Sequence, residues 1–276
     1  MQKEVSSYYD YTLPFYRFFW YKNRESSAIH YGLWKKGTKS FEEALMNTNR
    51  FLAKIANIKK EDIVLDAGCG VGGSSIWLAE NLAAEVTGIS ISNKQIDEAR
   101  KLAKKNSLIK FFVMDFLRTK FPDSSFDVVW AIESACHAEN KKDFLKEAYR
   151  LLRRTGRLVI ADGFLRRAPK LDDAKDFLSQ FCNGFAVPNL ALAKDFEKMM
   201  REVGFKNIKV LDKTGEFMPS SQRILKIARF AYPISILTEK LHLTSPILTK
   251  HILAGIAQYK VFGGNLGGYF VFYGEK

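Results

Sequence analysis

A chain of 276 residues with a formal charge of +13 can bury a substantial core, and its excess of cations calls for an anionic partner or a solvated basic surface. Hydrophobic residues at 47% are ordinary for a globular protein, and Cys69, Cys136 and Cys182 lack the spacing of a metal site or a disulfide framework, which points to a reducing compartment. No uninterrupted apolar run reaches the roughly 18 residues of a spanning helix; residues 251–273 come closest, but Lys260 and five glycines interrupt them.

In chain order, the first 50 residues are aromatic-rich: Tyr8, Tyr9, Tyr11, Phe15, Tyr16, Phe18, Phe19, Trp20, Tyr21, Tyr31 and Trp34. Lys3, Glu4 and Asp10 interrupt any apolar leader, so no secretory signal is expected and the chain is read as cytoplasmic. From about 63 to 214, strand and helix signals alternate, which implies a mostly parallel sheet covered on both faces. The strands fall at 63–66, 85–90, 110–114, 126–132, 157–162 and 207–212, and the helices at 73–83, 92–105, 140–153 and 190–203. Ser92 or Asn93 can cap the second of these helices, and Gly204 stops the last. Phe177, Phe181 and Phe185 are four residues apart, on one face of a helix within the connection 164–190. A last strand, Gly268 to Gly274, follows a long insertion.

The stretch from Ile63 to Gly73 carries the most information. An apolar strand ends in Asp66; Gly68, Gly70 and Gly72 alternate with small residues; a helix begins at once. Such a turn lets backbone approach a ligand closely, and the open N–H groups of the helix start favour electronegative ligand atoms. Gly68, Gly70 and Gly73 also satisfy the dinucleotide fingerprint, which is weak by itself. That fold wants an acidic residue at the tip of the next strand for a ribose, whereas this strand ends in Ser90. Asp66, placed to hold a cationic amine, fits S-adenosylmethionine better than a nicotinamide cofactor. Glu133 and His137 lie just past the fourth strand, on the carboxyl edge where open α/β sheets bind ligands, and are the acid–base candidates.

These residues resemble a known family. Asp66-Ala-Gly-Cys-Gly-Val-Gly-Gly-Ser-Ser75 is similar to the first motif of class I S-adenosylmethionine-dependent methyltransferases. Gly88-Ile-Ser-Ile-Ser-Asn-Lys-Gln-Ile-Asp-Glu-Ala99 resembles the second-strand motif of the tocopherol, sterol and cyclopropane-fatty-acid branch. Phe121-Pro-Asp-Ser-Ser-Phe-Asp-Val-Val-Trp-Ala-Ile-Glu-Ser-Ala-Cys-His-Ala138 resembles the fourth-strand motif of tocopherol and sterol C-methyltransferases, and His30-Tyr-Gly-Leu-Trp34 an entry motif. The likeness covers about residues 8–165. One departure is Arg154-Thr-Gly-Arg157, where the family tends to carry Lys-Pro-Gly-Gly; a looser turn is expected there.

The resemblance implies a Rossmann-like α/β sheet of seven strands, the last antiparallel. The expected organisation is an N-terminal helical lid at 1–50, a cofactor-binding core at 51–214, a basic cap at 215–266 and the final strand at 267–276. It implies S-adenosylmethionine as methyl donor and no metal. Asp66 would meet the methionine ammonium; Gly68, Gly70 and Gly72 would allow close approach; Ser90 with Gln95 would serve the ribose; Asp115 with Phe116 would hold the adenine. Tyr8, Tyr9, His30 and Tyr31 would close over the sulfonium, whose charge suits aromatic faces, with Tyr9 and Tyr31 counted among the cofactor residues. Glu133 would serve the cofactor as well as proton transfer, since sterol-type methylation creates a carbocation and then loses a proton.

The implied acceptor is small and lipophilic: a prenylated aromatic, quinone, sterol or other terpenoid, methylated at carbon. Between Met218 and Phe262, Arg223, Lys226, Arg229, Lys240, Lys250 and Lys260 face one acid, Glu239. On a helical wheel of 221–232, Ile224, Leu225, Ile227, Ala228 and Ala231 fall opposite Arg223, Lys226 and Arg229, the pattern of an interfacial helix or of a core-packed helix with a solvated face. An anionic membrane surface is therefore a candidate partner and a peripheral membrane location a candidate site. Two other readings stay open: an RNA methyltransferase using the basic surface, disfavoured by the absence of an Asn-Pro-Pro-Tyr-like motif, and a non-enzymatic cofactor-binding module.

Overall fold

Neighbouring residues in the central strands go to opposite apolar layers. Val64, Val128, Val159 and Val271 pack on one side with Trp77 and Trp130; Leu65, Val129, Ile160 and Phe272 pack on the other with Phe144 and Phe196. Strands covered on both faces read as continuous apolar runs, which is why their sequence signal is strong. The computed structural model describes residues 2–21, 27–171 and 177–276. Parts of the expected lid (Met1 and 22–26) and of the connection after the fifth strand (172–176) lie outside the described residues, as do the side chains of Trp20 and Tyr21.

The strands are β1 (Ile63–Ala67), β2 (Glu85–Ser90), β3 (Ile109–Val113), β4 (Phe126–Ile132), β5 (Leu152–Leu165), β6 (Lys206–Asp212) and β7 (Gly267–Glu275). They form one sheet in the order β3-β2-β1-β4-β5-β7-β6. The first five are parallel, and β7 runs antiparallel to both β5 and β6. The order reverses between β1 and β4, so a crevice opens at their carboxyl ends. Asp66 and Glu133 lie on either side of it.

The helices are α1 (Gln2–Tyr16, followed by a π-helical turn Arg17–Tyr21), α2 (Phe41–Ile55), α3 (Gly73–Leu82), α4 (Asn93–Leu102), α5 (Lys141–Leu151), α6 (Phe177–Gly184), α7 (Ala193–Val203), α8 (Thr214–Lys240) and α9 (Pro246–Gly263). Ser92 is the N-cap of α4, its hydroxyl accepting from the Gln95 N–H. Gly204, at φ 116°, ends α7 in the left-handed region.

The turn at 154–157 is not loose. It lies within β5, with Thr155 at φ 68°, and is tied to the last residue: Thr155 N–H donates to the Lys276 carbonyl at 3.2 Å and Lys276 N–H to the Gly156 carbonyl at 2.9 Å. These backbone bonds replace the stiffness a proline would have supplied.

Helix α1 bridges core and cap. Ser6 donates to the Ile91 carbonyl, the Ser92 hydroxyl donates to the Asp10 carboxylate, and Tyr11 accepts from the Ser245 N–H at 2.8 Å. The cap is α8 packed on α9. Its apolar wheel face, Ile224, Leu225 and Ala228, is buried inside the protein. That face packs inward and is not the one presented to a membrane; Arg223 lies over the Phe41 ring at 4.5 Å.

Candidate active site

The first cavity, ≈ 320 Å³, opens at the carboxyl ends of β1, β2 and β4. Gly68 (φ 95°) packs so tightly that a Cβ would stand 2.3 Å from the Ser134 Cβ, whereas a Cβ on Gly70 would meet only the Gln95 amide nitrogen at 3.9 Å. Gly68 thus joins the β1 and β4 loops, and Gly70 leaves the cavity floor open. Asp66 is buried and accepts from the Ser75 hydroxyl at 2.6 Å. Burial pushes its carboxyl up to about 7, against the pull of the Ser75 hydroxyl and N–H. A cationic amine here would restore the ionised form. Ser90 donates to the Gln95 side-chain oxygen at 2.7 Å, and both are buried on the wall. Asp115 lies two residues past β3, accepts from the Leu117 N–H at 2.9 Å, and lines the wall with Phe116.

The second cavity, ≈ 150 Å³, lies between the sheet edge and helices α1, α6, α8 and α9. That is about the space that accepts a benzene ring. Its walls include Phe19, Phe181, Phe185, Ile227, Ala231 and Phe262. Its polar lining includes Tyr8 and Asp162. Tyr8 shares hydrogen bonds with Tyr16 at 3.0 Å and His251 Nδ1 at 2.7 Å. Asp162, from β5, accepts from the N–H groups of Cys136 and Gly163, both at 2.8 Å, and burial pushes it up to about 6.

Tyr9, Ile29, His30, Glu133 and His137 line both cavities. Glu133 sits just past β4 in the left-handed region, at φ 51°, an unusual conformation for a side chain and one associated with functional turns. Its Oε1 accepts from the Tyr31 N–H and the Tyr269 hydroxyl, both at 2.8 Å; burial outweighs these bonds and pushes it up to about 8. His137 Nδ1 lies 3.0 Å from the Ala186 carbonyl. A carbonyl only accepts, so Nδ1 carries the proton and Nε2 accepts from the Tyr9 hydroxyl at 2.8 Å. Burial lowers His137 to about 4, so the ring is a neutral base at physiological pH. The loop carrying it is held by Lys141, a buried ammonium that donates to the carbonyls of Cys136, Ala138 and Asn189.

A family model described as a methyltransferase domain matches residues 65–160. Over 229 residues the chain is 29% identical to methyltransferase GfsG of Streptomyces halstedii, taking in 81% of this chain and 80% of that protein. Over 144 residues it is 38% identical to 2-methyl-6-phytyl-1,4-hydroquinone methyltransferase of Synechocystis sp., or 51% of this chain and 45% of that one. Its structure is similar to that of the cyclase SpnF, with a TM-score of 0.82 over 100% of this chain and 96% of that one; at 21% identity the likeness is one of fold. Residues 65–160 thus form a methyltransferase domain, set in a sheet of the class I methyltransferase fold.

The methyltransferase's cofactor is therefore S-adenosylmethionine, and the first cavity has the features to receive it: an open glycine floor and a buried carboxyl short of a cation. When bound, it supplies a methyl already activated by positive sulfur. Among the described residues no cluster of three or more His, Cys, Asp or Glu side chains could hold a metal ion.

The structure brings most of the expected residues to the two cavities, and moves two. Gly72 is off the cofactor wall; its missing Cβ makes room for the Phe111 ring, and Gly73 lines the cavity instead. Tyr31 lines the second cavity, its ring 4.4 Å from Phe217, and reaches the junction only through its N–H. Gln95 is buried, and Asn140 caps α5. Of the three aligned phenylalanines, Phe181 and Phe185 reach the cavity, while Phe177 is exposed beneath Lys260. Sequence reasoning missed Asp162, although it ends a buried apolar strand run just as Asp66 does. It also missed Lys141, Tyr16, Tyr269 and His251, which carry no local pattern.

Proposed function

We propose that this methyltransferase transfers a methyl group to a small lipophilic acceptor of the prenylated-aromatic, quinone, sterol or other terpenoid kind, at a carbon atom. One observation carries the reading: an apolar, ring-sized cavity shares five wall residues with the cofactor cavity, so an acceptor seated there lies against the donor methyl. In-line displacement from a sulfonium needs mainly orientation, which can supply up to about 7–11 kcal/mol of the barrier. The hydroquinone methyltransferase of Synechocystis sp. has by its name an acceptor of this class.

Methylation at carbon leaves a cation that must shed a proton. Asp162 lines the acceptor cavity and is ionised above about pH 6, and Glu133 lies on the junction, where a positive sulfur favours its carboxylate. A second reading, transfer to a hydroxyl oxygen, is favoured by the neutral His137, whose Nε2 accepts a hydrogen bond from the Tyr9 hydroxyl and is placed to accept one from an acceptor hydroxyl. An RNA acceptor draws less support: no Lys or Arg is among the described residues lining the second cavity.

The test is transfer of labelled methyl from S-adenosylmethionine into lipid extracts, with mass and NMR analysis of the product. A C-methyl or O-methyl product separates the two readings. Label entering only the nucleic-acid fraction would overturn both.

A further inference from the structure

The outer face of α8 carries a feature that methyl transfer does not use. Phe230, Ile234, Leu237 and Leu241 recur at intervals of four, three and four residues, and Leu243 follows in the turn to α9. This spacing places the first four on one helical face. These five side chains are between 51% and 77% exposed. Single exposed apolar residues need no explanation, but a contiguous stripe marks an interaction surface. At about 100° per residue, Lys226, Arg229 and Lys240 fall along one flank of the stripe, and all three are exposed. Apolar side chains with cations at their edge form the pattern of a helix lying in a membrane interface.

We propose that this stripe docks the methyltransferase on an anionic lipid surface, with Phe230 and Leu237 at its centre. The commitment to lipid rests on charge complementarity: within 218–262, six Lys/Arg stand against one acid, on a chain of net charge +13. No helix among the described residues is long and apolar enough to cross a membrane, so the contact is peripheral. The geometry links docking to the site. The adjoining side of the same helix puts Ile227 and Ala231 on the wall of the second cavity, and its far side adds Ala228. Tyr11, on α1, bonds the Ser245 backbone two residues beyond Leu243. A lipid surface touching the stripe therefore lies beside both the cavity wall and the helix that covers it.

The experiment is co-sedimentation of the full chain with vesicles of phosphatidylcholine alone and with added phosphatidylglycerol. The same preparations are weighed by size exclusion with light scattering, and S-adenosylmethionine binding is measured by calorimetry. Wild type is expected to bind anionic vesicles about tenfold better than neutral ones. The F230S/L237S/L241S variant should lose binding to both, and K226Q/R229Q/K240Q should lose the preference for anionic lipid; both should retain cofactor affinity and melting behaviour. Three results would overturn the proposal: no vesicle binding by wild type, undiminished binding by the apolar variant, or a wild-type dimer that the apolar variant converts to monomer without any lipid effect. Absence of cofactor binding would instead strike the proposed function and leave the vesicle result standing.

Discussion

The donor cavity and the acceptor cavity meet at five residues but are built differently. The donor side takes its polar groups from short loops after β1, β2, β3 and β4, and its bonds are local: Asp66 with Ser75, Ser90 with Gln95, Asp115 with Leu117. The acceptor side is walled by α1, α6, α8 and α9, and the Tyr8–His251 bond joins residues 243 apart in the chain. A donor site made of local loops can stay constant while helices from both ends of the chain reshape the acceptor side. Binding of the two ligands should therefore be separable by mutation.

The largest expected effect comes from filling the acceptor cavity. Ala231→Trp places a large ring in a space of ≈ 150 Å³. Methyl transfer should fall by more than about a hundredfold while cofactor affinity, read by calorimetry, stays within about twofold. A parallel loss of cofactor binding would show that the halves are not independent. Asp66→Ala tests the donor side. It removes a charge-assisted contact worth about 1.5–3 kcal/mol, so cofactor affinity should fall about tenfold to a hundredfold with the acceptor KM unchanged.

A pH series sharpens the same comparison. The Asp66 carboxyl of the empty protein titrates at about 7, and the cofactor's ammonium favours its ionised form. Affinity for the cofactor should then rise with pH, by about tenfold between pH 6 and 8, and level off above. Asp66→Asn should flatten the profile; an unchanged profile in that variant would assign the proton elsewhere. The linkage to folding has the opposite sign. Glu133, raised to about 8, Asp66, to about 7, and Asp162, to about 6, bind protons more tightly folded than unfolded. Their contribution to stability is fully present below the ordinary carboxylate range and is lost as pH rises through these values.

The smallest effect is expected at α1. Tyr8→Phe deletes the hydroxyl shared with Tyr16 and His251. Denaturant unfolding should show a loss of about 1–2 kcal/mol, with cofactor affinity unaltered. A drop in cofactor affinity would mean that α1 belongs to the donor side as well.

The central strands were legible because their residues are buried on both faces, and the helices at 93–102 and 141–151 because their caps are local. That Asp66, Gly68, Gly70, Ser90, Gln95, Asp115 and Phe116 share one cavity wall follows from their places at or just past strand ends, in short motifs. Gly72 packs against the Phe111 ring, which the sequence does not show, because a glycine spared for a ligand and one spared for a ring look identical there. The Tyr31 ring lines the second cavity, which the motif did not reveal, because a motif fixes the backbone path but not the direction of a side chain.

The sequence by itself determined a parallel sheet with a glycine turn and an acidic strand end, and hence the kind of donor, since period and spacing are properties of neighbouring residues. Only the tertiary structure decided which face of α8 is covered, that His137 meets Tyr9, and that Asp162 joins Glu133 on the wall of the second cavity. A helical wheel defines two faces and leaves open which one the protein buries. The pKa shifts of Asp66, Glu133, Asp162 and His137 arise chiefly from burial, which exists only once distant segments have packed.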